Sequence, residues 1–332
     1  MRVGFWAASK DGSSWYRAEQ PAEALTWLGH DTWVSPRIQD MPAMLDVVVG
    51  SRVANDGPTE WWQGMAARPL AERPKLVLDL DDDYFHLDPG NRIAYDFWTQ
   101  DGKQANLIRN MVAADVVTVC SEALAEAVRA ACYPKHVNVE VVENGLHAAY
   151  LGLPRNYDPD EIVIGWSGSA ATAPGYDMVR RAIRLALDTY PNVRHRTVGL
   201  PDGAMIQGER CETAGWLPEV ERYLAAVNTF DIWLAPYPDT EFNRAKFPTK
   251  ALEAGTLGIP LIASDIRPYR EWAERDGNGA MLIRNEHEWT REIRLMIKFA
   301  KARREIGEAG RSRAARNILQ EVSRRWEEVL TR

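Results

Sequence analysis

The chain has 332 residues, too many for one ordinary domain and comfortable for two. Its 45% hydrophobic and 26% charged residues are globular proportions, which exclude wholesale disorder. Its apolar stretches, such as Gly258 to Ala263, fall far short of the roughly 20 residues that span a bilayer, which excludes an integral membrane protein. Cys120, Cys132 and Cys211 form no CxxC pair and are odd in number, which argues against a disulfide framework or a cysteine-ligated zinc site. Met1 to Trp6 lacks the apolar core of a signal peptide, so a cytoplasmic location is expected.

The net charge of −7 is uneven: −8 over 1–152, −4 over 153–297 and +5 over 298–332. An acidic front half argues against broad phosphate-backbone binding. The basic tail from Lys298 to Arg332 has helical composition with arginines on its solvated face; contact with a membrane surface or nucleic acid is the other reading.

Short apolar runs alternate with longer amphipathic segments, the pattern of parallel sheets with crossover helices. In the first half, strands are predicted at Met1–Ala8, Leu45–Gly50, Lys75–Leu80, Val116–Cys120 and Val137–Val142, with helices at Tyr16–Leu28, Ala105–Ala113 and Glu122–Ala131. Leu153 to Asp160 reads as a linker. The second half restarts with strand Ile162–Trp166, helix Tyr176–Leu187, strand Val193–Gly199, helix Glu219–Asn228 and strand Asp231–Pro236. Helix Pro248–Leu257 and strands Pro260–Ala263 and Ala280–Ile283 follow. The expected fold class is α/β, two doubly wound domains facing a cleft, with ligands beyond the strands' carboxyl ends.

Among thirteen tryptophans, Trp15, Trp61 and Trp62 fall in segments read as loops and form a candidate stacking platform for a sugar ring or base. The stretch Asn243 to Pro260 is more informative. Pro248 suits a first helical position and Gly258 a left-handed helix stop. Such a helix would present free N–H groups beside Lys246 and Lys250, a physical recipe for holding a diphosphate. Glu253, three residues after Lys250, shares its face and could accept ribose hydroxyls; an exposed Lys250–Glu253 pair is the alternative. Gly165-Trp166-Ser167-Gly168-Ser169-Ala170, after a strand, permits close backbone approach to phosphate, but is neither a GxGxxG nor a P-loop.

Gly165–Ser169, Asp231–Pro236, Lys246–Glu253, Gly258–Asp265 and Asp276–Leu282 together resemble the C-terminal domain of GT-B glycosyltransferases, closest to family 4, or group 1, and its phage and bacterial relatives. The resemblance is strong over 160–300 and weaker over 1–150. It implies an N-terminal acceptor domain (1–152), a donor domain (153–299) and a terminal helix (300–332) that packs back on the first domain. It implies transfer of a sugar, of the hexosyl type, from a UDP- or GDP-sugar to an acceptor hydroxyl with retention, and no required metal, although Mg2+ is admitted. Glu253 then matches the donor-ribose glutamate, Lys246 and Lys250 the diphosphate cations, and Gly168 and Ser169 the diphosphate loop. Trp216 joins the donor set. The family's Glu-x7-Glu would place an acid at 245, and this chain has Ala245.

In the first half, strand Leu76-Val77-Leu78 ends in Asp79, Asp81, Asp82 and Asp83. By the resemblance, Asp81 or Asp82 orients the acceptor or stabilises charge at the anomeric carbon. Asp79-Leu80-Asp81 also approaches the nucleophile motif of haloacid dehalogenase phosphatases, with Asp79 attacking, Asp81 as acid/base and Mg2+ bound; a solvated turn is the third reading. By the resemblance, Gly12, Ser13 and Arg17, between the first strand and helix, lie against the acceptor cleft. His86 and His147 form no triad and read as structural. The expected acceptor is a saccharide, a lipid-linked sugar or a modified base in DNA, met in the cytoplasm, or the host's if the chain is phage-encoded. A sugar-nucleotide-binding module without turnover is the non-enzyme alternative.

Overall fold

The computed structural model describes residues 1–7, 12–100, 102–154, 160–169, 172–200, 205–274 and 279–332. Parts of five features read from the sequence lie outside them: the turn at 276–278, the middle of the linker, the first residues of the loop before Gly12, Ala8 at the end of the first predicted strand and Ala170 at the end of the stretch after Gly165.

Two six-stranded parallel sheets carry the fold. The first contains β1 (Arg2–Trp6), β2 (Asp31–Ser35), β3 (Val47–Ser51), β4 (Lys75–Leu80), β5 (Val116–Val119) and β6 (Val139–Val141), in the order 2-1-3-4-5-6. The second contains β7 (Ile162–Ser167), β8 (Val193–Val198), β9 (Cys211–Ala214), β10 (Ile232–Ala235), β11 (Leu261–Ser264) and β12 (Met281–Ile283), in the order 12-11-10-7-8-9. Central strands such as β4 and β7 are covered by helices on both faces, so nearly every residue is buried and the sequence reads as an apolar run. β2 and β9, which no apolar run announces, are sheet edges with half-exposed residues.

Strand order reverses between β1 and β3 and again between β7 and β10, which opens a crevice at the carboxyl ends of each sheet. No described helix is long and apolar enough to cross a membrane.

The tryptophan platform is corrected by packing. Trp61 and Trp62 lie on a helix, Asp56–Ala66, and not in a loop. Trp62 is fully buried and its indole N–H donates to the Asn110 carbonyl at 3.1 Å. Trp61 meets Trp6 edge-on and Trp15 meets Tyr16 edge-on, both packed against the core.

The tail is also corrected, because it is two helices and not one. Ala300–Ala314 packs on the Thr249–Leu257 helix of the second half, where Gly255 faces Gly310 and Gly307 faces Gly258. Only Leu319–Thr331 lies on the first sheet, burying Val322, Trp326, Val329 and Leu330 with Val3 and Phe5. Between them, Ile318 bridges to Leu146, where the chain leaves the first sheet. Gly258 ends the Thr249–Leu257 helix at φ +67, as a left-handed stop requires. Pro248 is the residue before that helix, not its first position.

Candidate functional site

A cavity of about 290 Å³ lies between the carboxyl ends of the two sheets. It brings together eleven residues singled out from the sequence, Gly12, Ser13, Arg17, Asp81, Asp82, Gly168, Ser169, Trp216, Lys246, Lys250 and Glu253, while Asp79, Trp15, Trp61 and Trp62 are not part of its lining.

The second half supplies one wall. Gly168 and Ser169 follow β7, and Gly199 follows β8 at φ +104, a left-handed conformation. A Cβ on Gly199 would stand 2.4 Å from the Gly168 carbonyl oxygen, so the two loops meet as bare backbone beside the cavity. Trp216, just past β9, is 58% exposed at the cavity edge, an apolar face with nothing packed across most of it. The Thr249–Leu257 helix contributes Lys250 and Glu253. Its amide end is less open than the sequence suggests, since Thr249 N–H donates to the Phe247 carbonyl and both Ala251 and Leu252 donate to the Pro248 carbonyl. Positive charge at this wall therefore rests mainly on the lysines. Lys250 Nζ donates to the Tyr237 hydroxyl at 2.6 Å. Glu253 is 5% exposed and accepts two hydroxyls, Tyr16 at 2.9 Å and Tyr223 at 2.8 Å. Burial pushes its carboxyl above the usual range, against Lys250 and the two tyrosines, which favour the anion. The exposed Lys250–Glu253 pair is thereby excluded.

The first half supplies the opposite wall. Residues 12–27 are helical, with Gly12–Ser14 and Gln20–Trp27 α-helical and the wider π-helical turn Trp15–Glu19 between them. On that turn sit Tyr16 and Arg17, both lining the cavity. The Arg17 guanidinium is already committed. It donates to both Asp79 oxygens, at 3.1 and 2.6 Å, and to Val142 and Asn144. Thr118 donates to the same carboxylate at 2.7 Å. Asp79 is 1% exposed, so neither oxygen can attack a phosphate and the phosphatase reading fails on access.

Asp81 and Asp82 differ although adjacent. Asp81 accepts the Tyr84 hydroxyl at 2.5 Å and lies 3.5 Å from Arg52. Burial works against its charge, but Arg52 and the bonds from Ser13 and Tyr84 outweigh it and hold Asp81 below the ordinary carboxylate range. Arg52 itself has φ +50, an uncommon conformation for a side-chain-bearing residue. Asp82 instead accepts Lys246 Nζ at 2.5 Å, an ion pair spanning the cleft. Burial pushes Asp82 upward, Lys246 opposes, and neighbouring Asp81 adds to the rise. Burial also disfavours the Lys246 charge, but Asp82 reverses that and leaves its pKa raised.

Not every chemistry-bearing residue joins the site. Asp83 accepts the Phe85 and His86 amides and pairs with His86 Nδ1 at 2.7 Å, closing a turn. His147 Nδ1 accepts the Ala149 amide at 3.0 Å as a cap. Sequence reasoning missed Tyr16, Tyr223 and Tyr237 as cleft residues and Arg52 as the partner of Asp81. No local pattern marks them, because each acts on a partner distant in the chain.

Residues 161–298 match the family model described as "Glycosyl transferases group 1". No curated protein matches the chain. Among solved structures, sucrose-phosphate synthase from Thermosynechococcus elongatus aligns over 100% of this chain and 98% of its own, at 14% identity and a TM-score of 0.68. Anabaena HepE in complex with UDP-glucose aligns over 100% and 99%, at 15% and 0.64. WaaG, a glycosyltransferase involved in lipopolysaccharide biosynthesis, aligns over 100% and 100%, at 12% and 0.67. At these identities the likeness shows the fold, which spans the whole chain. The protein therefore has the GT-B fold, and its residues 161–298 match the glycosyl transferases group 1 model.

Proposed function

We propose that the protein is a glycosyltransferase of the hexosyl type, moving a sugar from a UDP- or GDP-sugar to an acceptor hydroxyl with retention. The carrying observation is the cavity wall on which Lys250, Glu253 and Lys246 converge beside an exposed Trp216. Lysines suit a diphosphate, a buried carboxylate suits ribose hydroxyls, and an indole face suits a base. The domain match and a fold shared with HepE, solved with UDP-glucose, support the same assignment.

Residues 153–299 then bind the donor and 1–152 the acceptor. Gly168 and Ser169 offer backbone to the diphosphate, and Lys246 and Lys250 stabilise the charge that grows on it as the bond from anomeric carbon to phosphate oxygen breaks. Asp81 and Asp82 orient the acceptor with Gly12 and Ser13, while Arg17 holds the strand ends in place through Asp79. The acceptor oxygen bonds to the anomeric carbon and its proton leaves on the released diphosphate. No metal is required by this scheme. A saccharide, a lipid-linked sugar or a hydroxylated base in DNA fits as acceptor, encountered in the cytoplasm, or the host's for a phage protein.

Thermal unfolding against UDP, GDP, ADP, dTDP and CDP, with and without Mg2+, tests the donor site. A ligand at about 100 times its dissociation constant adds roughly 2.7 kcal/mol. Stabilisation by one nucleotide without Mg2+, removed by Lys250→Ala, is expected; no shift with any of them would overturn the reading. Ala245 favours one second reading, a module that holds the donor without turnover. Incubation with the matching nucleotide sugar separates the two, because only a transferase converts it.

A further inference from the structure

The cavity's charges point to an ion pair that has to exchange partners before a diphosphate can be held. Among the described residues of its wall, the cations are Arg17, Lys246 and Lys250 and the acids are Asp81, Asp82 and Glu253. No surplus of positive charge waits for a ligand carrying at least two negative charges. Lys250 is bonded to a tyrosine, so a second cation for that ligand must leave an acid.

Arg17 is not that cation, since its side chain and that of Asp79 are buried and enclosed. Lys250 donates to a neutral tyrosine and stands beside Glu253, which its own two hydroxyl bonds satisfy. Lys246 differs from both. Its pair with Asp82 is open to the cavity, with side chains 21% and 28% exposed. The ammonium also lies 3.9 Å from the Phe242 ring centre, an apolar support over which it can turn without losing all its contacts. Asp82 is a strained companion, because Asp81 beside it is kept anionic by Arg52 and Tyr84. The two partners come from opposite halves of the chain, so the bond has no local constraint to preserve it.

We propose that Asp82 is a placeholder for the donor's diphosphate: the nucleotide takes Lys246 from Asp82, and Asp82 sets donor affinity by competing for that lysine. The inference rests on the donor reading given above. It makes Asp82 a specificity-determining residue that weakens binding of the nucleotide, the reverse of an ordinary contact residue. A ligand lacking the second phosphate cannot repay the broken pair as well, so the competition discriminates diphosphates from monophosphates.

Calorimetric titration of UDP and UMP (or of the pair whose diphosphate stabilises the protein) into the full chain tests this. Asp82→Asn, nearly isosteric, should bind the diphosphate about tenfold more tightly and narrow its margin over the monophosphate. Lys246→Met should bind about tenfold more weakly. In the double variant the gain from Asp82→Asn should vanish, since no lysine is left to release. Equal or weaker binding by Asp82→Asn overturns the proposal, as does a gain that persists without Lys246, which would be a general charge effect. Asp82→Ser carries the same expectation should Asn not fold, as thermal unfolding would reveal. Wild-type binding without the expected gain overturns the exchange alone; no diphosphate binding by any form overturns the donor reading with it.

Discussion

The two walls of the cleft start from the same architecture and spend their charges differently. On the first wall Arg17 is turned inward onto Asp79, which leaves Asp81 and Asp82 facing the cavity. On the second, the buried acid Glu253 is satisfied by tyrosine hydroxyls, which leaves two lysines facing it. The acid-rich wall suits neutral hydroxyls and the lysine-bearing wall suits phosphate. What distinguishes them is which charged group is already satisfied behind each wall, Arg17 by Asp79 on the first and Glu253 by two tyrosine hydroxyls on the second. Where the walls touch, the difference appears as the Lys246–Asp82 pair.

The comparison is broken most sharply at Lys250. Lys250→Ala should cost about 100-fold or more in kcat/KM, on the order of 3 kcal/mol, with little loss of melting temperature. The equivalent change on the first wall, Arg17→Ala, should do the opposite and unfold that half by stranding the buried Asp79. Parallel rate and melting measurements on the two variants check this; similar behaviour of both would remove the distinction.

Acid should loosen one half before the other. His195 on β8 donates Nδ1–H to the Ile164 carbonyl of β7 and accepts the Tyr176 hydroxyl of the Ala173–Thr189 helix at Nε2, each at 2.8 Å. Burial lowers its pKa to about 4. The unfolded chain binds this proton near pH 6.5 and the folded one does not, so the contribution is complete above pH 6.5 and is lost as pH falls toward 4. The loss is on the order of 3 kcal/mol. Amide exchange at pH 5 against pH 7 should quicken around β7 and β8 more than around β3 and β4, and His195→Gln should flatten the difference.

The support behind the Thr249–Leu257 helix offers a smaller effect. A Cβ on Gly307 would stand 2.4 Å from the Gly258 carbonyl oxygen, so Gly307→Ala must spread the helix pair. A loss of about 1–3 kcal/mol is expected, a few degrees in a melt. The mildest change is Tyr16→Phe, which removes one of the two hydroxyls on Glu253 and the first wall's only part in that bond pair. About 1 kcal/mol, or roughly fivefold in donor affinity, is expected; an unchanged affinity would confine Glu253 to the second wall.

The alternation of buried strands and amphipathic helices was legible in the sequence because central parallel strands are covered on both faces and must be apolar throughout. The shared cavity wall of Lys246, Lys250 and Glu253 was legible too, since the three lie within one short stretch, the last two on one helix. The edge strands β2 and β9 were not, because half-exposed residues carry no apolar signal. Nor was the fate of the tryptophans: Trp62 looks the same in a loop as in a core, and only packing against the helix carrying Asn110 distinguishes them. The sequence by itself determined the fold class and the inventory of charged groups near the strand ends. Tertiary structure alone decided that Arg17 is committed to Asp79, that Tyr16 reaches Glu253 and that Lys246 meets Asp82. Those partners lie 62, 237 and 164 residues apart, and a pairing between distant residues is set by how two sheets pack, which no local pattern records.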